Sequence, residues 1–407
     1  MEAKEREFIR DLAKRKLELA NTPHMQSLAK EWAAHNDLHG SRPMIHFEMG
    51  TVGDPGFKYE CQCTSPDARN VEWKLGESMQ NYVMVGDDRA VTPDFYVSYG
   101  SWFKLFDMTP DRTMTDGIGF HINPQITSLD SLENIKPSSM GFDEGSFKRS
   151  YEYYGDLFGD ILEVKGGMSC TGISPTNSLV HLMTMENMFT EMYDNPENCH
   201  ELMERLTTDF LKYLTELERR KMLLPCCGNN WVGQGTFAFS DELKSSGEIT
   251  LGDVWFYMDS QETVGVSPKM FNEFFFPYFK RMSEKCARLS YGCCEPVHPF
   301  WEDSLSKFEN LRKISISPWC DEEYMGEQLR GTKVIYQRKP SPLFTGGTDY
   351  ALDEDGFRAH IRKTLKAAEG CKLEITFRDV YRLNGNLSKP RRAVEIVREE
   401  IENCWNG

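Results

Sequence analysis

The sequence predicts a (β/α)8 barrel with an N-terminal helical extension and loop insertions, on three observations. Short apolar strands alternate with amphipathic helices from about residue 42 to the end. The length of 407 residues suits one large barrel with additions better than one small domain. Reactive side chains gather just past the strand ends, where a barrel builds its chemistry. Residues 1–40 are assigned to the helical extension and 41–407 to the barrel.

The elements follow in order. Phe8, Leu12, Leu17, Leu19, Leu28, Trp32 and Leu38 give the extension a helical, mostly polar pattern. A strand at 42–48 ends in Glu48, a helix follows near 71–86, and 94–100 is a second strand. Residues 103–145 are rich in Asp, Thr, Pro and Gly without a clear period, which marks an irregular excursion over a site. A third strand at 166–173 runs into a methionine-rich helix. Asn195-Pro196 opens the next helix, with Leu202, Leu206, Phe210, Leu214 and Leu217 on one face. Further strands lie at 251–259, 287–291, 312–318, 333–338 and 371–377. Between the first two of these, Ser267-Pro268 opens a long helix with Phe271, Phe274, Phe275, Tyr278 and Met282 inward and a kink at Pro277. Helices at 355–370 and from Pro390 close the list of elements. A ninth candidate strand at 222–228 has no full helix after it, so 222–250 is assigned to an excursion.

Composition narrows the function. The net charge of −16, from 47 basic and 63 acidic residues, argues against nucleic acid or an anionic membrane as partner. Twelve scattered cysteines in a large chain fit reduced cytoplasmic thiols better than a disulfide framework. No apolar run approaches the ~18 residues of a membrane span. The absence of Gly-x-Gly-x-x-Gly after a strand, and of a phosphate loop, removes nucleotide readings.

The stretch Ser290-Tyr-Gly-Cys-Cys-Glu-Pro-Val-His298 carries the densest chemistry. Gly292 frees the backbone to turn, and two thiols, a carboxylate and an imidazole follow. These are ligand types for a thiophilic metal, although Cys-Cys lacks the Cys-x-x-Cys spacing of strong zinc sites. The other strand-end candidates are Glu48, Tyr99, Thr171, Asp259 with Gln261 and Glu262, Glu295, Trp319 with Asp321, Lys339, and Arg378 with Asp379. Strand-end carboxylates also serve as helix N-caps, so their clustering carries more than any one member.

From about residue 44 onward the chain resembles the uroporphyrinogen decarboxylase superfamily, which includes corrinoid-linked methyltransferases and is similar to cobalamin-independent methionine synthase. The resemblance rests on Asp259-Ser-Gln-Glu-Thr-Val-Gly-Val-Ser-Pro268, Phe274-Phe-Phe-Pro-Tyr278, Tyr291-Gly-Cys-Cys-Glu-Pro296, Ser315-Ile-Ser-Pro-Trp319 and Arg338-Lys-Pro340. The true decarboxylases carry an arginine-rich segment after the first strand. Here Phe47-Glu48-Met-Gly-Thr-Val-Gly53 holds no arginine, so porphyrinogen decarboxylation is not expected. The superfamily's zinc methyltransferases place His-x-Cys at the strand matching 290–294 and a second cysteine at the end of the last strand. Tyr291-x-Cys293 and Phe377-Arg378-Asp379 keep one thiolate of that pattern. Two outcomes stay open: a mixed zinc site from Cys293, Cys294 and Glu262, or loss of the metal.

The resemblance thus implies a methyltransferase moving a methyl group from a small donor, such as a methoxylated aromatic, to a corrinoid on a partner protein. An aryl ether has a poor leaving group and needs a proton donor or Lewis acid at its oxygen. Glu48, Asp259, Glu262, Tyr291, Lys339 and Asp379 are the expected catalytic residues, and Tyr99, Trp231, Gln261 and Trp319 the substrate contacts. The alternative is a decarboxylase or other lyase on a small carboxylated substrate, with Glu48 and Asp259 as acid and base. It requires a cationic clamp from Lys339, Arg378 and Arg338. A corrinoid partner needs an open barrel mouth, so any homodimer is expected to form through other surfaces.

Overall fold

The computed structural model describes residues 1–116 and 119–405. Eight barrel strands run in chain order as Met44–Phe47, Asp94–Ser98, a third in two halves (Glu163–Gly167 and Cys170–Ile173), Trp255–Met258, Arg288–Tyr291, Leu311–Ile316, Ile335–Arg338 and Leu373–Phe377. The α/β barrel class is as the sequence predicts. A seven-stranded parallel sheet passes from the first strand through the eighth, seventh, sixth, fifth and fourth to the later half of the third. The earlier half of the third pairs in parallel with the second.

The ring is interrupted twice, and each gap has a chemical filling. Among the described residues no ladder joins the first and second strands. The free N–H groups of the first strand are met instead by carboxylates: Asp88 accepts from Ile45 at 2.8 Å and Asp87 from Phe47 at 2.7 Å. The third strand breaks after Gly167, which sits at φ +146°. Met168 there pairs with the 222–224 segment, donating to Met222 O and accepting from Leu224 N, both at 2.8 Å.

That excursion then does something the sequence does not announce. Trp231–Gly233 and Thr236–Phe237 form an antiparallel hairpin that enters the barrel itself. Thr236 Oγ1 lies 3.2 Å from Ser290 Oγ and accepts from Gln337 Nε2 at 3.0 Å. A Cβ on Gly235 would meet Thr376 Cγ2 at 2.2 Å, and one on Gly233 the Tyr257 ring at 2.6 Å. The tip therefore touches inward residues of the fourth, fifth, seventh and eighth strands. Barrels are ordinarily filled by branched apolar side chains. This one is filled by a backbone ribbon, whose polar groups need partners. The inward positions are accordingly polar, and the apolar members of the strands, such as Phe256, Leu289, Ile314 and Ile375, face the helices fully buried.

The helix Ala3–Ala20 packs against the helices Pro66–Gln80 and Glu144–Phe158, and Pro23–Asn36 lies at the base. Trp32 Nε1 donates to Asp88 O at 2.6 Å, and Asn36 Nδ2 holds Phe237 O and Phe239 O at 2.9 and 2.8 Å. Asn36 O at the end of the second helix accepts from Arg312 at 2.8 Å, a cation against a helix C-terminus. The expected long helix after Ser267 is two, Pro268–Phe274 and Phe276–Ser283, broken where Pro277 removes an N–H. The excursion read as irregular holds two antiparallel ribbons, Gly100–Lys104 with Ser139–Asp143 and Asp111–Met114 with Phe120–Asn123. Each strand is too short for a period of two to stand out.

One helix contact makes a direct test of packing. Gly326, in the helix Glu322–Leu329, would place a Cβ 1.8 Å from Ala367 O of the helix Glu354–Ala367. Gly326→Ala is expected to cost about 1–3 kcal/mol by overpacking, read as a lower urea midpoint with an unchanged slope.

Candidate active site

Successive residues of a strand face opposite sides, so each inward row ends in one side chain at the barrel mouth. The rows are Trp255-Tyr257-Asp259, Ser290-Gly292, Gln337-Lys339, Glu374-Thr376-Arg378 and His46-Glu48. Two groupings result, one acidic and one cationic.

The acidic grouping centres on Asp259. Its carboxylate accepts from Tyr257 OH at 2.5 Å, and the Ser174 hydroxyl at the end of the third strand lies close enough to favour its charged form. Burial raises its pKa, and the charge of Glu262 adds to the rise against the lowering effect of those two hydroxyls and of Lys339. Glu295 lies close by. Its Oε1 accepts from Ser260 N at 3.1 Å and its Oε2 from Cys293 N at 2.8 Å, tying the loops after the fourth and fifth strands together. Burial, then the charge of Asp259, pushes Glu295 up to about 7. Two buried carboxyls thus share a region that favours their protonated forms.

A cavity of ≈ 430 Å³ adjoins Tyr257 and Ser174, with Phe210, Tyr213 and Trp231 on its walls. A second of ≈ 470 Å³ continues past Ser174 beneath Trp102, Phe103 and Met108 of the excursion. Trp231, 46% exposed, packs edge-on against Phe237 with ring centroids 5.5 Å apart. The first cavity is walled by aromatic and aliphatic side chains, and Asp259 is joined to that wall through the hydroxyl of Tyr257.

The cationic grouping lies across the mouth. Lys339 Nζ donates to Cys293 O at 2.7 Å and to Gln234 Oε1 at 3.3 Å. Arg378 donates to the same Gln234 oxygen, and its Nε is 3.2 Å from Glu48 Oε2. Asp379, at φ +57°, accepts the Cys294 thiol at 2.9 Å. The neighbouring Cys293 thiol, 3.6 Å away, and burial drive the Cys294 pKa far up.

Several expected residues sit elsewhere. Tyr291 is on the other parity of its strand, facing the helices: its OH meets Ser260 Oγ at 2.6 Å and its ring packs on Phe308. Arg338 is likewise outward, bound to Glu322 at 2.7 Å and to Ser317 O. Glu262 spends its two oxygens on Thr176 Oγ1 at 2.8 Å and Asn177 Nδ2 at 2.7 Å, fastening the loop after the fourth strand to the helix after the third. Tyr99 stacks on Phe147 against the excursion, Gln261 is exposed, and Trp319 is 72% exposed on the rim. Thr171 points to Cys286, and Asp321 caps the helix Glu322–Leu329. Glu48, Asp259, Lys339 and Asp379 are at the mouth, and Trp231 at the cavity.

The expected zinc set does not converge. Glu262 is held by the third-strand loop, while Cys293 and Cys294 lie toward Asp379, and among the described residues no three His, Cys, Asp or Glu side chains come together as a metal would need. Tyr257, Ser174 and Gln234 were not expected. The first was legible, since Tyr257 and Asp259 are two apart on one strand. The other two depend on contacts between distant segments.

Comparison with protein-family models and with curated proteins gives no match. Among solved structures, the chain is similar to a methyltransferase from Methanosarcina mazei at 11% identity and a TM-score of 0.52, covering 92% of this chain and 99% of that one. A B12-independent methionine synthase from Shewanella sp. W3-18-1, in complex with selenomethionine, is matched at 14% identity and a TM-score of 0.37, over 88% and 98% of the two chains. At such identities the likeness bears on the fold alone.

Proposed function

We propose that this protein transfers a methyl group from a small donor, an aryl methyl ether, to a corrinoid carried on a partner protein. The observation that carries this reading is Asp259, a buried carboxyl with a raised pKa that is hydrogen-bonded to Tyr257 on the wall of a cavity lined also by Phe210, Tyr213 and Trp231. The reduced corrinoid is a co-substrate and supplies the nucleophile. The methyl carbon–oxygen bond breaks, and the departing phenolate oxygen takes the proton of Asp259, which Tyr257 and Ser174 hold in place. Trp231, Phe210 and Tyr213 would flank the ring. No step is assigned to zinc, because its donors do not assemble.

The fold likeness to a methyltransferase agrees with this reading. So does the rim: Val264, Trp319, Leu343, Tyr350 and Tyr381 are exposed on loops that follow barrel strands at the mouth. An apolar rim of this kind suits a partner that docks there and leaves again. No helix among the described residues is long and apolar enough to cross a membrane. Purified protein, reduced corrinoid protein and a panel of methoxylated aromatics should give the absorbance change of methyl–cobalt formation. Its absence with every donor would overturn the proposal.

A second reading, decarboxylation or other lyase chemistry on a small carboxylated substrate, is favoured by Lys339 and Arg378 at the mouth, two of the three cations it requires. Release of carbon dioxide from such a substrate without corrinoid would select it.

A further inference from the structure

We infer that Lys339 and Arg378 form a subsite for a carboxylate on the substrate, and that Gln234 holds this subsite with its side-chain carbonyl. The inference deepens the proposed function and rests on it for the donor, which becomes a carboxylated aryl methyl ether.

Lys339 lacks a direct ion-pair partner among the described residues. Lys339 is 2% exposed, and its two acceptors, Cys293 O and Gln234 Oε1, are neutral. Among the described residues no carboxylate reaches salt-bridge distance of its ammonium. An ammonium taken out of water without a counter-charge costs several kcal/mol. The other buried lysine of the barrel interior, Lys313, shows the usual solution, a carboxylate at 2.5 Å. A third N–H of Lys339 has no acceptor among the described residues.

Two cations meet on one oxygen. Gln234 Oε1 accepts from both Lys339 and Arg378. The nearest carboxylate to Arg378, Glu48, serves one guanidinium and leaves Lys339 unmatched. A carboxylate in place of the amide would make charge-assisted bonds to both groups. Glutamine is close to an uncharged copy of the ligand expected there.

The hairpin delivers Gln234 at its tip. Gln234 sits at φ +53°, a costly region for a residue with a side chain, between Gly233 at +152° and Gly235 at +81°. Val232 and Trp231 of the same hairpin line the aromatic cavity. A ligand whose carboxylate displaces the Gln234 carbonyl would therefore have its ring along the hairpin.

The test is calorimetric binding to the full chain, without corrinoid, of 4-methoxybenzoate and of methoxybenzene as its uncharged match. The benzoate should bind about 10–100-fold more tightly, as two charge-assisted hydrogen bonds allow. Lys339→Met, which keeps most of the side-chain volume, should abolish that preference. Gln234→Glu should weaken methoxybenzoate by a similar factor and leave methoxybenzene unchanged, because it supplies the carboxylate from within. Circular dichroism of each variant establishes that it is folded. Equal affinities for the two probes, no binding of either at millimolar concentration, or a preference that survives in both variants would overturn the inference. Preferential binding without methyl transfer would leave the subsite standing and remove the transfer.

Discussion

Asp259→Asn is expected to slow methyl transfer from an aryl methyl ether by about 10²–10⁴-fold, the range for loss of a positioned proton donor. The loss should shrink to a few-fold with a sulfonium donor, whose thioether leaves uncharged and needs no proton. Equal losses with both donors would show that Asp259 only shapes the site. The pH profile gives a second readout. Asp259 acts in its protonated form, and burial raises its pKa while Glu295 beside it is pushed up to about 7. Activity should thus be full in acidic solution and decline as pH rises through the raised pKa of Asp259, above the ordinary carboxylate range. In Asp259→Asn that decline should vanish along with most of the rate.

The largest effect on stability is expected at the polar floor of the barrel. Lys313 Nζ lies 2.5 Å from Glu374 Oε2, both side chains are fully buried, and His35 Nε2 is 3.3 Å from the same oxygen. Burial works against the carboxylate, yet Lys313 and then His35 bring Glu374 down to about 2. Lys313→Met leaves that carboxylate largely unpaired and should cost about 3–5 kcal/mol at neutral pH, whereas the double change Lys313→Met with Glu374→Leu should recover most of it. Because the folded pKa of Glu374 is depressed, its contribution is complete above the ordinary carboxylate range and is lost as pH falls through about 2. Denaturant midpoints of the three proteins near pH 7 provide the measurement. A single variant as stable as the parent would mean that the pair contributes nothing.

The barrel was legible because strand–helix alternation is local: each short apolar run and each helical stripe can be read without its neighbours. Asp259, Glu48, Lys339 and Asp379 were legible for the same reason, since each stands just past a strand. Tyr291 and Arg338 were misplaced by one residue of parity. Their strands read Ser290-Tyr291 and Gln337-Arg338, and only the polar alternation in the other strands shows that Ser290 and Gln337 face inward. That alternation was itself a missed signal, because strands covered on both faces normally read as continuous apolar runs. Gln234 and Ser174 could not be placed from sequence, since their partners lie about a hundred residues away in the chain. Glu262 looked like a ligand from its position after a strand. Thr176 and Asn177, which hold it, come from the helix after the third strand.

The hairpin inside the barrel sets an order of events for the folding chain. Residues 231–237 come after the third strand has been made and before the last five strands. A ring assembled first would have its inward polar groups unpaired, because Ser290 and Gln337 find their partner in Thr236 of the ribbon. Strands five, seven and eight are therefore stabilised together with the ribbon rather than before it. An N-terminal fragment ending before Trp231 would possess three strands and nothing to gather them, so its early half gains little from folding alone. Such a chain should condense late and as a whole, with a slow, concerted final phase governed by contacts far apart in sequence.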